Sequence, residues 1–236
     1  MSKKYLSIYS LIVFSLFGLF ISFPKQTLAV VSSTPDSGTH ITDGAVYSTV
    51  VASDGTTYLG GDFSHVGTYT GGGVPIDATT GSSLSTFPKV NGTVLVSISD
   101  GSGGWYIGGG FSKVEGYDQA FLAHIKSDGT LDQDFNPNLD GGVYSLALSG
   151  TTLYVGGGFT TVGGNTYNKL VAINTTDGTA ISSFNPNLDS DVYSLALSGT
   201  TLYVGGSFTT IGEDTYNRLA AINTTDGTAI SSFNPN

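Results

Sequence analysis

The sequence predicts an all-β protein: a β-propeller of four-stranded antiparallel blades, with four repeats present as an incomplete arc of a larger propeller. Three observations predict it. Residues 44–236 are one unit written four times, at intervals of 48 or 49 residues. Each copy holds four short runs rich in Val, Ile, Leu, Thr and Tyr, with no helical period. Finally, one such sheet is too small to cover both of its own apolar faces, so the copies must stack on one another.

Residues 1–29 precede this pattern. Lys3 and Lys4 form a basic start, Tyr5 to Phe23 is almost wholly apolar, and Thr27-Leu28-Ala29 offers small residues for cleavage after Ala29. The expectation is a signal peptide and export to the cell surface or beyond, with an uncleaved membrane anchor as the alternative. Residues 30–43 read as a lead-in. None of the 18 Asp and Glu lies in the leader, and three of the eight Lys and Arg do, so the rest of the chain is strongly acidic. That balance excludes a protein tracking a nucleic-acid backbone. The absence of cysteine excludes disulfides, a thiol nucleophile and a Cys-ligated metal, leaving ordinary packing to hold an exported domain together.

The copies are 44–90, 91–140, 141–189 and 190–236. Residues 141–187 and 190–236 align without a gap, with 39 of 47 pairs identical. In the third copy the four runs are Val143 to Leu148, Leu153 to Gly156, Lys169 to Asn174 and Ala180 to Phe184. Ser149-Gly150-Thr151 joins the first two, and Thr175-Thr176-Asp177-Gly178, with its turn-forming Asp-Gly, joins the last two. A longer loop from Gly157 to Asn168 lies between. In the second run Leu153 and Val155 occupy one face and Tyr154 the other, so this strand needs cover on both sides. The structural marks repeat with the unit. A double glycine recurs at Gly60-Gly61, Gly108-Gly109, Gly156-Gly157 and Gly205-Gly206, where a missing Cβ permits a sharp turn or a close approach. Tyr58, Tyr106, Tyr154 and Tyr203 hold one equivalent position. Phe63, Phe111, Phe159 and Phe208 follow the glycines, and Phe87, Phe135, Phe184 and Phe233 close the copies.

The motifs Leu-Tyr-Val-Gly-Gly-Ser-Phe-Thr-Thr-Ile-Gly, Asn-Arg-Leu-Ala-Ala-Ile-Asn and Phe-Asn-Pro-Asn resemble the bacterial delta-60 repeat, a β-propeller family without an assigned function. Residues 100–111 are similar again, and kelch repeats are a more distant likeness. The resemblance covers about 44–236 and implies a propeller on the cell surface rather than a reaction. The first copy departs from it: Thr70-Gly71-Gly72-Gly73-Val74-Pro75-Ile76 replaces the third run, leaving that strand in question, and Phe87-Pro88 lacks the intervening Asn. Because the copies stop on a repeat boundary, the chain reads as part of a longer array with exposed edges, further repeats or domains lying outside it.

No catalytic, cofactor or metal residue is assigned from the sequence. His65 aligns with Lys113, Thr161 and Thr210, and His124 with Ala172 and Ala221, so neither has a repeated role, and His40 precedes the repeats. Asp128, Asp132 and Asp134, with Asp189 and Asp191, are the carboxylates that could hold calcium, but the Asp-x-Asp-x-Asp-Gly spacing is missing. Asp128, Asp177 and Asp226 precede a glycine and read as turn residues. No acid pair stands out for glycoside hydrolysis. Trp105, the single tryptophan, falls in the second run and reads as blade packing. Lys169 and Arg218 read as cations paired with a neighbouring blade's carboxylate. No helix follows the glycines at 101–104 to make a phosphate cradle, and no Ser/His/Asp set forms a triad pattern. Near-identical copies offer like groups on a ring, which suits a binding surface. The expectation is therefore a non-enzymatic, exported, secreted or cell-surface bacterial propeller whose loops bind a glycan or cell-envelope macromolecule. The alternatives are a spacer or scaffold array, and a glycan-active enzyme or kelch-like oxidase completed by blades outside this chain.

Overall fold

The computed structural model describes residues 42, 44–53, 57–63, 65–66, 68–69, 73–77, 79–82 and 88–235. The leader with Ala29, His40, most of the lead-in and Phe87 lie outside the described residues. What is described contains no helix; it is an all-β propeller fold, and its strands fall into blades at the repeat spacing. Blade one holds β1 (Ala45–Val51), β2 (Thr57–Asp62), β3 (His65–Val66), β4 (Thr68–Tyr69) and β5 (Gly73–Ile76). Blade two holds β6 (Val90–Ser99), β7 (Trp105–Val114), β8 (Tyr117–Asp118) and β9 (Leu122–Ile125). Blade three holds β10 (Val143–Ser149), β11 (Thr152–Gly157), β12 (Thr161–Val162), β13 (Asn165–Thr166) and β14 (Leu170–Asn174). Blade four repeats it with β15 (Val192–Ser198), β16 (Thr201–Gly206), β17 (Thr210–Ile211), β18 (Asp214–Thr215) and β19 (Leu219–Asn223).

Each blade is an antiparallel meander ordered β1-β2-β5, β10-β11-β14 or β15-β16-β19, with β7 of blade two pairing β6, β8 and β9. The loop after the second strand carries a small hairpin of its own, such as β12-β13. Two sequence expectations change. The replaced stretch of the first copy still forms its third strand, β5, in register with β2. The fourth run shrinks to a single bridge, Ile173 to Ala180 and likewise Ile125 to Leu131 and Ile222 to Ala229. The cause is local: Thr179 is taken by the Asp177 turn, and the chain bends at once into the Phe-Asn-Pro-Asn segment, where Phe184 bonds back to Ile181.

That segment is the joint between blades. Phe135 and Phe184 are buried beneath it. Asn136, Asn185 and Asn234 donate through their side-chain amides to the carbonyls of Asp118, Thr166 and Thr215. Asn138 and Asn187 take the left-handed backbone (φ 52° and 55°), a conformation asparagine tolerates better than most residues. Leu139 and Leu188 then bridge to Val162 and Ile211 of the next blade.

The two glycines of each pair do different work. A Cβ on the first would press on a valine of the next blade's first strand: Gly60 on Val94 at 2.6 Å, Gly108 on Val143 at 2.5 Å, and Gly156 on Val192 at 2.5 Å. A Cβ on the second would run into a carbonyl oxygen of the blade's own first strand, that of Ala45 or Thr93, or of the residue just before that strand, Gly142 or Asp191. At this point the first strand carries a bulge, with register shifts at Val46/Ser48, Val94/Val96, Val143/Ser145 and Val192/Ser194. The core lies between blades. Tyr154, Leu170, Ala172 and Phe184 face forward and meet Val192, Leu202, Val204 and Phe208 of blade four. Tyr106, Leu122 and Phe135 meet Leu153, Val155 and Phe159 in the same way. Trp105 is buried against Tyr58 of blade one, ring centroids 3.9 Å apart.

Polar ties repeat across the same seams. The Tyr154 hydroxyl donates to the Thr224 carbonyl at 3.2 Å, and Tyr106 hydrogen-bonds Thr175. Ser48 Oγ accepts from the Ser97 amide and Ser145 Oγ from the Leu195 amide.

Candidate functional site

The most distinctive exposed chemistry sits where blades three and four meet, and it is assembled by the devices just described. Lys169 is held in the left-handed region (φ 68°) immediately before β14. Two backbone bonds fix it there: its amide donates to Phe159, and Gly157 donates to its carbonyl. Phe121 and Arg218 repeat this conformation at φ 66°. From that backbone the Lys169 ammonium donates to the Gly158 carbonyl at 2.9 Å and pairs with Asp191 of the next blade at 3.2 Å. Arg218, its equivalent in blade four, has no ion pair among the described residues.

Beside this pair stand two tyrosines. The bulge turns Tyr144 and Tyr193 out of the strand register, their ring centroids 5.8 Å apart and the planes at 34°. Glycines leave room for Tyr144, since a Cβ on Gly158 would lie 2.8 Å from its hydroxyl and one on Gly142 would touch its ring edge at 3.1 Å. Tyr193 is 54% exposed. Lys169 also lines an open pocket of about 380 Å³, together with Thr160, Asn168, Asn187, Asp189 and Thr210. Asn168 donates to Asn187 across it at 2.7 Å. Asp189 is committed to the scaffold. Burial works to raise its pKa, but bonds from the Thr209 hydroxyl and the Thr210 and Thr209 amides outweigh that and hold it low.

The residues singled out in the sequence are dispersed differently. His124 is set in β9 with Nδ1 on Asp132 at 2.9 Å and Nε2 on Asp100 at 3.2 Å, stacked on Tyr106 at 4.5 Å. Both ring nitrogens are thus engaged, and the imidazole fills the volume left by Ala172 and Ala221 in later blades. Burial raises the Tyr106 pKa, opposed by its bond to Thr175. Asp128, Asp177 and Asp226 close turns by accepting from Thr130, Thr179 and Thr228. Among the described residues no three His, Asp or Glu side chains gather as metal ligands. The Tyr144–Tyr193 pair and the second carboxylate on His124 escaped the sequence reading. The first had a signal, the Val-Tyr-Ser of three copies; the second had none, because Asp100 reaches His124 from the turn between β6 and β7, 24 residues away in the chain.

Residues 101–135 match a family described as a domain of unknown function (DUF5122), beta-propeller. No curated protein sequence matches the chain. Among solved structures, the computationally designed Ika4 protein is similar at 12% identity with a TM-score of 0.50, over 77% of this chain and 92% of that one. BamB from Moraxella catarrhalis matches at 12% identity and a TM-score of 0.44, over 79% of this chain and 61% of its own. The extracellular domain of BT4673 from B. thetaiotaomicron matches at 11% identity and 0.49, over 79% of this chain and 25% of its own. Residues 101–135 thus carry the sequence of a β-propeller family of the delta-60 repeat type, the family that the repeated motifs resemble.

Proposed function

We propose that this is an exported, non-enzymatic propeller repeat protein that binds a glycan of the cell envelope with the surface between blades three and four. The observation that carries the reading is the Tyr144–Tyr193 pair set beside the Lys169–Asp191 ion pair. An exposed ring pre-positioned by backbone geometry gives a flat apolar platform at low entropic cost, and tyrosine adds a polar tip. The neighbouring ammonium, carboxylate and asparagine amides supply the few placed polar groups that orient a ligand. The acidic repeats and the apolar leader support export. Repetition favours binding through several weak contacts. His124, engaged by Asp132 and Asp100 and stacked on Tyr106, sits as a packed side chain within blade two.

The test is retention of the protein on immobilised envelope polysaccharides and peptidoglycan fragments at low salt. The expected result is binding to at least one, weakened on the order of tenfold or more by Tyr193→Ala, in line with loss of an aromatic anchor. Tyr117→Ala, an exposed tyrosine on β8 in blade two, should leave it unchanged. No retention across the panel, or retention indifferent to Tyr193, refutes the reading.

A further inference from the structure

Each seam between blades has two halves. The forward half is a socket, made by the first glycine, the tyrosine two residues before it and, in blades two to four, the leucine that opens the third strand. The rear half of the next blade is a knob, its first-strand valine. Blades one to three have their sockets filled. Blade four presents the same socket uncovered. A Cβ on Gly205 would meet nothing nearer than Ser194 Cβ at 3.7 Å, whereas one on Gly156 would press on a valine at 2.5 Å. Tyr203 is 36% exposed against 4% for Tyr154, and Leu219 is 41% exposed against 0% for Leu170. At the other end, Val46 holds the position of Val94, Val143 and Val192. It is 41% exposed, whereas Val143 and Val192 are at 0%. Leu59 and Ile76 beside it are only half-buried.

These are the separated halves of an interface the chain already makes three times. Within the described residues they do not meet: β1 packs on β2 and β6, and β15 on β10, β11 and β16. We propose that the knob face of blade one docks into the socket face of blade four on a second copy of this chain, so that two copies close one ring of eight blades. The seam between blades three and four supplies the geometry, with Val46 taking the place of Val192 over Gly205. A head-to-tail contact continues until it closes. Two copies of blades one to four give eight blades, the upper limit of ordinary propellers, and three copies of them would exceed it. The inference is independent of the ligand reading, since it uses neither Tyr144 nor Tyr193.

The experiment is light scattering on the full chain across a dilution series, with two variants. The wild type is expected at twice the chain mass at micromolar concentration. Gly205→Ala places a methyl where Val46 of the second copy would sit. It should raise the dissociation constant on the order of tenfold or more, with an unchanged circular dichroism spectrum. The chain has no cysteine, so the double variant Val46→Cys with Gly205→Cys reports cleanly, and a covalent two-chain product on oxidation is expected. A wild type that stays at the mass of one chain, open-ended assembly, dimerisation indifferent to Gly205→Ala, or a disulfide formed within one chain each overturns the proposal.

Discussion

Replacing Gly156 by alanine tests the stacking logic at one atom. The added Cβ would lie 2.5 Å from Val192 Cγ1, 3.2 Å from Val192 Cβ and 3.4 Å from Leu195 Cδ1. Carbon atoms rest at roughly 3.5–4.0 Å, so the valine or the whole blade must retreat by about 1 Å. Forced overpacking of this kind costs about 1–3 kcal/mol. Alanine recovers about 0.5–1 kcal/mol by restricting the unfolded chain, because the Gly156 backbone lies outside the left-handed region. The net expectation is a loss of about 0.5–2 kcal/mol, which in a domain of this size lowers Tm by roughly 1–8 °C. Gly205→Ala, chemically identical but facing open space, should be neutral or slightly stabilising. Both are read by thermal unfolding in dilute solution, where association does not contribute. Val192→Ala placed on Gly156→Ala should relieve part of the loss, appearing as a coupling energy in the double-mutant cycle. If Gly156→Ala matches the wild type, or if the two alanines cost the same, the close approach between blades is not what the double glycine is for.

The same internal comparison extends to the seam's polar tie. Tyr154→Phe should cost about 0.5–1.5 kcal/mol by removing the hydroxyl that donates to Thr224, and Tyr203→Phe should cost nothing; chemical denaturation of the two variants measures the contrast. Asp140 supplies an acid limb. Burial works to raise its pKa, but the Thr160 hydroxyl and the Thr161 and Thr160 amides outweigh it and bring it to about 2. A depressed carboxylate contributes stability above its unfolded pKa and loses it as pH falls towards 2, so Asp140→Asn should flatten the acid side of a stability–pH curve. Tyr106 and Tyr154 act at the other extreme. Burial raises both phenols, so their contribution is intact below the ordinary tyrosine pKa and fades as pH climbs past it. Tyr154→Phe should soften that alkaline limb in the same titration.

The repeats made the blades legible, because one sequence period maps onto one sheet and the both-sided second strand demands neighbours. Trp105 and Lys169 were likewise readable from their place in the repeat, and both meet the adjoining blade. Three things were not. The fourth run looks as apolar as the others in Ala180 and Ile181, yet a strand also needs length, and the turn at Asp177 and the joint at Phe184 leave room for one bridge. The split role of the double glycine depends on which side of the sheet each missing Cβ faces, and that follows from a bulge invisible in the residue pattern. Finally, Tyr144 and Tyr193 sit in a run that alternation assigns to ordinary strand faces; the extra residue in the bulge re-aims them and makes them neighbours.

The valine-over-glycine seam recurs with the same partners at the same register, so any unit can precede or follow any other. Adding or deleting a whole unit therefore leaves every remaining seam with both fittings already cut, and what it changes is the number of blades that a ring must close. Such a coding sequence can lengthen by copying itself in frame and remain foldable at each step, with the near-twins at 141–187 and 190–236 as the freshest example. Selection can then act on the outward tyrosines and cations of individual units while the fittings stay fixed.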